Sequence, residues 1–405
     1  MSTKPTELPK APPAYVLGIL FVAVLCRYVY SEWSPHHGFP LGNFGLPAQH
    51  IYADALNDWN SGADPYRTIH GALRFVYPPV FLYIGSFLSR IFPDHVGWVL
   101  YALIHMTGTL ALPLVLARFY FCQPWLTPAF ALLVFLAEPR LTGVLALVNG
   151  NIASIMYLLA LLAGVPGLRA NRWTWFYLAV FIGALVKFPF LLLLLLPLLV
   201  GAGQLRNCAL CITGVAAAYL AQQIAAPVLY VGYEWSIEQQ LVVINHYGYG
   251  VLGIAAGIDH KLHGHVGVIP SAVSAAFTLA LVTALFLLRR RIPHLACNRI
   301  WISLILLSAI LASPRILFYD ADVALMAAYV IFVHVLATRR LVALLILLFL
   351  PSLAVPWFVH SPTLAGIYET LLMMLAFGSG FVALWRSSTP LPLDQPRAVS
   401  VPSAI

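Results

Sequence analysis

Residues 185–203 read LVKFPFLLLLLLPLLVGAG, an almost unbroken run of hydrocarbon side chains with a single charge, on Lys187. Similar apolar runs recur along the 405-residue chain, which is 61% hydrophobic and only 9% charged and has a mean hydropathy of +0.88. A soluble protein of this length could not cover its surface with so few charges, whereas a bilayer accepts apolar surface. The composition therefore predicts an all-α, polytopic integral membrane protein.

Apolar segments long enough to cross the membrane predict about 11 to 13 transmembrane helices. They form one transmembrane domain, residues 15–386, between a cytoplasmic N-terminal tail, 1–14, and a Pro/Ser-rich, disordered cytoplasmic tail, 387–405. The spans are expected at 15–30, 96–117, 126–148, 149–167, 173–187, 188–203, 207–226, 266–288, 299–313, 323–337, 341–358 and 364–385.

Basic residues predict the orientation of these spans. Arginines cluster in short loops, and cytoplasmic loops are the ones that carry such an excess. Both termini are therefore expected in the cytoplasm of a cell whose plasma (inner) membrane holds the protein, and the net charge of +8 does not indicate nucleic acid. The arginines in question are Arg169, Arg172, Arg206, Arg289, Arg290, Arg291, Arg339, Arg340 and Arg386.

The same orientation puts a first outer loop, 31–77, and a second, 228–265, on the periplasmic or exterior face. The apolar segment 78–92 is too short to cross easily, at about 22 Å of helix. It is expected to dip into the membrane or lie along its surface. The tandem proline of Tyr77-Pro78-Pro79 suits a helix start, and the spacing of Gly62-x-Asp64-Pro65-Tyr66 predicts a turn in which Asp64 bonds the following backbone.

Asp54 and Asp58 are the candidate catalytic residues. Their i, i+4 spacing between apolar residues predicts that they share one face of a short helix. A carboxylate beside a sugar hydroxyl can act as a general base. Asp54 is favoured because its neighbours in the sequence suggest a deeper position. The alternative is that both carboxylates only keep an interfacial helix hydrated.

Two cations are candidates for binding a substrate phosphate. Lys187 lies amid hydrocarbon just before Pro189, a position that costs a few kcal/mol unless the ammonium reaches an anion or water. A lipid-linked phosphate is the expected counter-ion, and snorkelling to the interface is the alternative. Arg315, in Ser313-Pro314-Arg315, can clamp a phosphate through two hydrogen bonds.

The remaining candidates for substrate binding are polar and aromatic. A tyrosine at the membrane interface can anchor the chain or stack on a sugar. Asp320 and Asp322 could bind a divalent metal, but two carboxylates alone are a weak metal signal, so no metal or cofactor is predicted. The candidates are Tyr77, Asn149, Asn151, His246, Tyr319 and Asp320.

Four short motifs occur in a set order: Gly62-x-Asp64-Pro65-Tyr66, Tyr77-Pro78-Pro79, Asn149-Gly150-Asn151 and Lys187-x-Pro189. In these motifs, and over residues 15–322, the chain resembles glycosyltransferase family 87. That family comprises integral-membrane, polyprenyl-phosphate-sugar-dependent transferases of the GT-C architecture, often mannosyltransferases.

The resemblance implies inverting transfer of a hexose, mannose being expected, from a polyprenyl-phosphate sugar to a lipid- or glycan-linked acceptor. It also implies an acid in the first outer loop as base. Two positions depart from the family pattern. The family often has Asp four residues before a loop tyrosine, where this chain has Ala48 before Tyr52, so Asp54 or Asp58 must take that role. Asn149-Gly150-Asn151 lacks the glutamine of the family's element. A transporter or flippase of lipid-linked sugars and an inactive, transferase-like assembly subunit remain alternatives.

Overall fold

Helices make up nearly all of the chain that the computed structural model describes, which is residues 47–70, 73–92, 94–121, 149–242, 248–292, 298–336 and 362–387. Two-residue strands β1 (Ile69–His70) and β2 (Leu73–Arg74) pair antiparallel between the first two helices. A π-helical turn, Leu116–Tyr120, extends α3, and a 3₁₀ helix, Phe188–Leu194, leads into α6. The helices are α1 (Pro47–Ser61), α2 (Pro79–Ile91), α3 (Asp94–Val115), α4 (Ile152–Ala170), α5 (Thr174–Val186), α6 (Leu195–Val200), α7 (Leu205–Ala225), α8 (Pro227–Val242), α9 (Val251–His263), α10 (Ile269–Arg291), α11 (Arg299–Leu311), α12 (Phe318–Leu336) and α13 (Pro362–Ser387).

Five helices of the described chain are long and apolar enough to cross a membrane, and α2, α5 and α11 are apolar but shorter. This confirms the predicted helical membrane character. The predicted spans at 15–30, 126–148 and 341–358, like the tails 1–14 and 388–405, lie outside the described residues. The five candidates are Val96–Tyr120, Ile152–Ala170, Leu205–Ala225, Ile269–Arg291 and Ile367–Arg386.

The core of the bundle is centred on α11. Every residue of α11 from Ile300 to Leu311 is buried, and a helix that is apolar on all sides belongs in the interior. Helices α12 and α13 pack against α11. A second apolar cluster, of aromatic residues, lies at one end of the bundle, where Tyr52, Tyr66 and Tyr77 pack with Val186.

The bundle has two ends of different composition. We call the loop end the set of residues 62–70, 73–79, 149–151, 187, 248–250 and 313–320, where Tyr249 N–H donates to the Ile316 carbonyl at 2.9 Å. We call the basic end the set of residues 169–173, 198–206, 289–292, 298–299 and 385–386, where Arg289 Nη1 donates to the Leu198 carbonyl at 2.6 Å. Helices α4 and α5 form an antiparallel hairpin that connects the two ends.

Helix α2 lies beside α1. Its first turn is bonded at the loop end, where the Val80 N–H donates to Gln222 Oε1 at 2.9 Å. Further along, Ser86 Oγ donates to Asn60 Oδ1 of α1 at 3.1 Å. Helix α3 then starts against α1, since Gln49 Nε2 donates to the Trp98 carbonyl at 3.2 Å. That segment 78–92 dips into the membrane or lies along its surface stays a prediction.

The two predicted outer loops contain regular structure. In the first, Asp64 Oδ1 accepts the Tyr66 N–H at 2.9 Å and Gly62 has φ +81°, which confirms the predicted turn. The second, 228–265, consists largely of α8 and α9. Helix α8 packs against Tyr66 of the first loop. Tyr233 lies edge-on to the Tyr66 ring, and Gly232 leaves room for that ring.

Candidate functional site

The central charges of the loop end form a buried ion pair between Lys187 and Asp320. The Lys187 Nζ lies 2.8 Å from both Asp320 carboxylate oxygens, and the two side chains are 19% and 2% exposed. Lys187 follows the last residue of α5, and Asp320 is in the first turn of α12. The sequence predicted a lipid phosphate as the counter-ion of Lys187, but a carboxylate of the same chain already occupies that place.

Asp320 has further partners that hold it in position. Tyr157 Oη of α4 donates to Oδ1 at 3.1 Å, and the Leu317 N–H donates to Oδ2 at 3.0 Å. The start of α12 also favours a negative charge through the helix dipole. On the other side of the pair, the Lys187 ammonium lies 4.3 Å from the centroid of the Tyr319 ring, a cation–π contact. Both buried charges are therefore compensated by groups from three helices.

A second polar network surrounds Tyr77. Asn151 Nδ2 donates to Tyr77 Oη at 3.0 Å, and Tyr77 Oη lies 2.8 Å from Tyr52 Oη. Tyr52 Oη accepts the Ile152 N–H at 3.3 Å, while Asn151 Oδ1 caps α4 by accepting the Ala153 N–H at 3.0 Å. The N-cap position explains why Asn151 is well placed, since its amide serves the helix and the site together.

The two networks meet. Val186 packs in the aromatic cluster with Tyr52 and Tyr77, and the next residue, Lys187, makes the ion pair. Tyr319 interacts with both Asn151 and Tyr77. Burial raises the pKa of Tyr77, while its hydrogen bonds from Tyr52 and Asn151 and the positive charge of Arg315 oppose the rise. Tyr77, Asn151, Lys187, Arg315, Tyr319 and Asp320 thus form one group, which we call the loop-end cluster.

Arg315 is half-buried and fixed by its neighbours. Ser313 Oγ donates to the Arg315 carbonyl at 3.0 Å. Gly248, with φ +80°, packs so closely that a Cβ at this position would lie 2.7 Å from Arg315 Cγ and 2.7 Å from the Ile316 carbonyl oxygen. Only glycine suits both the conformation and the space. The backbone at Gly248 is thereby held against Arg315. His246, a predicted substrate-binding residue, lies outside the described residues.

Asn149 lies at the edge of the cluster. Gly150, with φ +74°, turns the chain between the two asparagines, and its carbonyl accepts a hydrogen bond from Tyr101 Oη at 2.6 Å. Among the described residues, the half-buried Asn149 makes no hydrogen bond to the cluster. The Asn-Gly-Asn spacing therefore positions Asn151 more directly than Asn149.

Asp54 and Asp58 lie one turn apart on α1, as predicted, but not on the face that packs against the cluster. The buried face carries Ala48, Tyr52 and Ala55. Asp54 is exposed and stands about 200° around the helix from Tyr52, whereas Asp58 is half-buried. The prediction that Asp54 is the deeper of the two is wrong, because apolar neighbours in sequence do not share its side of the helix.

Tyr52, Tyr101 and Tyr157 are polar members of the site that the sequence reasoning missed. Each is a phenol within or next to an apolar segment, and a buried hydroxyl of this kind usually has a hydrogen-bond partner. That signal could have drawn attention to them. It could not have named the partners, since Tyr157 and Asp320 are 163 residues apart in the chain.

Asp322, two residues beyond Asp320, is buried, and neither of its carboxylate oxygens has a hydrogen-bond partner in the described chain. Within those same residues, no group of three or more His, Cys, Asp or Glu side chains is arranged to hold a metal ion. The neighbouring carboxylate, Asp320, already accepts hydrogen bonds from Lys187 and Tyr157.

With this geometry in hand, comparison of the chain with models of known protein families, with curated proteins and with solved structures finds no match in any of the three. The function is therefore inferred from the chain's own residues.

Proposed function

We propose that the protein is a membrane glycosyltransferase that transfers a hexose from a polyprenyl-phosphate sugar to a lipid- or glycan-linked acceptor. The expected hexose is mannose, and transfer inverts the configuration of its anomeric carbon. The observation that supports this is the loop-end cluster. Residues from four separate segments, three of which carry motifs resembling those of glycosyltransferase family 87, meet at one end of an apolar bundle. We place this end at the periplasmic or exterior face of the plasma (inner) membrane.

The donor phosphate is proposed to bind at Arg315. Arg315 is the second cation of the cluster, beside the pair that Lys187 forms with Asp320. Its guanidinium suits bidentate phosphate binding, and Lys187 adds a third ammonium N–H beyond the two that face Asp320. The prenyl chain would follow the exposed apolar side of α2, where Ile84 and Phe87 face outward.

The proposed reaction is a single displacement. An acceptor hydroxyl attacks the anomeric carbon from the side opposite to the phosphate, the bond from that carbon to the phosphate oxygen breaks, and polyprenyl phosphate leaves. The two cations stabilise the negative charge that grows on the phosphate. The acceptor proton passes to Asp58 or Asp54, of which Asp58 is the less exposed. The alanine at position 48 means that the cluster-facing side of α1 offers no carboxylate there.

The test is a transfer assay with purified protein in vesicles that contain polyprenyl-phosphate mannose and an acceptor fraction. Arg315→Gln is expected to lower the transfer rate by about 100-fold, the effect of losing one preorganised electrostatic contact. Arg386→Gln, at the basic end, is the matched control and should keep full activity. Mass spectrometry of lipids and glycans from cells with and without the protein would identify the sugar and the acceptor. Normal transfer by Arg315→Gln would rule out its proposed role.

One observation favours a second function. Asp320 and Asp322 are buried inside an apolar bundle with the half-buried Lys187 beside them, and ionisable residues so placed often mark a transport pathway. A transporter or flippase of lipid-linked sugars would move its substrate across vesicles without consuming it. An inactive assembly subunit is the alternative that Ala48 favours, and an absence of transfer by the wild-type protein in the same assay would support it. Unchanged transfer by the double variant Asp54→Asn/Asp58→Asn would instead rule out both carboxylates as the base.

A further inference from the structure

The basic end carries a groove that the proposed transfer reaction does not use. Its volume is about 920 Å³, and it lies between the start of α5 and the start of α7. Its lining changes character along its length. Polar residues lie nearest the helix ends and apolar ones further along: Asn171, Arg172, Thr174, Gln204 and Asn207, and then Trp175, Leu178, Phe181 and Leu210.

The polar part of the groove is preformed. Asn171, with φ 55°, ends α4 and its Oδ1 accepts hydrogen bonds from Trp173 Nε1 at 2.9 Å and Gln204 Nε2 at 3.3 Å. Gln204 Oε1 in turn accepts from Tyr177 Oη and from Asn207 Nδ2, both at 3.1 Å. A ligand would therefore meet a polar surface that is already ordered, which lowers the entropy cost of binding.

Among the described residues, the charge at this end is positive. Arg172 is exposed, and its guanidinium makes no ion pair within the described residues. Arg169 and Arg206 flank it in the same end of the bundle. None of the residues that line the groove is acidic. The groove thus offers a cation beside hydrocarbon, with no acidic side chain in its lining to repel an anion.

We infer that this groove binds an anionic glycerophospholipid, with its phosphate on Arg172 and one acyl chain along Leu178, Phe181 and Leu210. Thr174 and Asn207 can donate hydrogen bonds to the headgroup. Trp175, 66% exposed, lies beside Arg172, and tryptophan concentrates at the level of lipid headgroups. Basic pockets between membrane helices recognise anionic headgroups in this way. A choline headgroup would instead bring a second positive charge to Arg172.

The experiment uses full-length protein, delipidated in detergent and then supplied with phosphatidylglycerol or phosphatidylcholine. Native mass spectrometry counts the bound lipid, and the melting temperature of each variant is compared with its own value in phosphatidylcholine. The wild type should bind phosphatidylglycerol in preference. Arg172→Gln should bind it about fivefold less tightly, as expected for one arginine near an anionic lipid. Arg386→Gln, a basic-end arginine outside the groove, should match the wild type.

A second variant separates the groove from general electrostatic attraction. Leu210→Trp keeps every charge but fills the apolar part, so it should lose the phosphatidylglycerol-dependent rise in melting temperature. The proposal is overturned if Arg172→Gln and Arg386→Gln lose lipid equally, if Leu210→Trp binds as the wild type does, or if phosphatidylcholine binds as well as phosphatidylglycerol.

Discussion

The loop end and the basic end both close the same apolar bundle, but they use polar side chains differently. At the loop end, Lys187 and Asp320 are buried as a pair, and side chains from distant helices bond to one another. At the basic end, neutral polar side chains bond backbone carbonyls, as Asn171 does at Ala202, and bond one another around Gln204. The basic end thus combines neutral hydrogen bonds with exposed arginines, while the loop end encloses two opposite charges.

The difference bears on function because buried charges are costly. Removing an ion from water costs several kcal/mol, and a buried pair is often no more stable than apolar residues of the same volume. An apolar bundle gains little stability from Lys187 and Asp320, so their presence is better explained by what the site does. The exposed arginines at the basic end carry no such cost.

Asp320→Asn gives the largest expected effect and tests whether the loop-end charges depend on each other. The substitution leaves the Lys187 ammonium buried without its carboxylate, which should lower the free energy of unfolding by about 3–5 kcal/mol. Denaturant unfolding in detergent measures the loss. Glu234→Gln, an exposed carboxylate on α8, is the matched control and should change little.

The double variant Lys187→Met/Asp320→Leu sharpens this test. If the cost of Asp320→Asn comes from a stranded charge, replacing both partners with apolar residues should restore most of the stability while transfer activity stays lost. A double variant as unstable as Asp320→Asn would mean that the pair itself stabilises the fold.

Tyr157→Phe and Tyr120→Phe compare a buried hydroxyl that bonds the loop-end cluster with one that bonds only the helix backbone inside the bundle. Tyr157 donates to the charged Asp320, whereas Tyr120 Oη donates to the neutral Leu161 carbonyl at 2.6 Å. Loss of a hydrogen bond to a charged group should cost about 1.5–3 kcal/mol, and loss of a neutral one about 1 kcal/mol. Only Tyr157→Phe should also slow transfer. Equal losses of stability and of activity in the two variants would contradict a special role for the hydroxyl that bonds Asp320.

The pair of Lys187 and Asp320 also shows what the sequence could not predict. Apolar runs predicted α4, α7 and α10 to within a few residues because a bilayer-spanning helix is specified by local hydropathy. Lys187 and Asp320 were both predicted as site residues, but not as partners, since they are 133 residues apart in sequence. Their pairing depends on how α5 and α12 pack, which no local pattern reports.

The sequence also could not predict how α1 is rotated about its own axis, that is, which of its sides faces the bundle. Ile51, Ala55 and Leu56 surround Asp54 in sequence, and this suggested depth. In the helix, Tyr52 and Ala55 turn inward, and Asp54 is left on the exposed side. Period and composition predict a helix and its amphipathic stripe, but a short helix with mixed residues does not specify which side its neighbours will cover.

Gly167→Ala tests the packing of the basic end without touching a charge. A Cβ at Gly167 would collide with the Trp173 ring, which is itself buried. Such overpacking should cost about 1–3 kcal/mol. Gly257→Ala on α9 is the control, because nothing lies within 4 Å of its Cβ position and alanine in a helix should stabilise by about 0.5–1 kcal/mol. Thermal melts of both variants measure the difference, and transfer activity should survive in each.

The smallest expected effect concerns Asp259 on α9, a buried carboxylate whose partners are a backbone N–H and a histidine, whereas the partner of Asp320 is a lysine. Asp259 Oδ2 accepts the Gly267 N–H at 2.6 Å, and Oδ1 lies 2.8 Å from His263 Nδ1. The Gly267 hydrogen bond first, and then His263, lower the pKa of Asp259 below its usual range. A carboxylate whose folded pKa is depressed stabilises the fold above its unfolded pKa, about 3.9, and loses that contribution as the pH falls through the folded value.

Asp259 should therefore leave stability unchanged between about pH 5 and 8 and reduce it only in more acidic solution. Asp259→Asn should be slightly less stable than the wild type at pH 7, and the two melting temperatures should converge as the pH drops below about 4. Hydrogen exchange of the Gly267 amide, followed over the same range, reports the local event. If the two proteins keep a constant difference in melting temperature down to the lowest pH, the charge of the Asp259 carboxylate does not stabilise the end of α9.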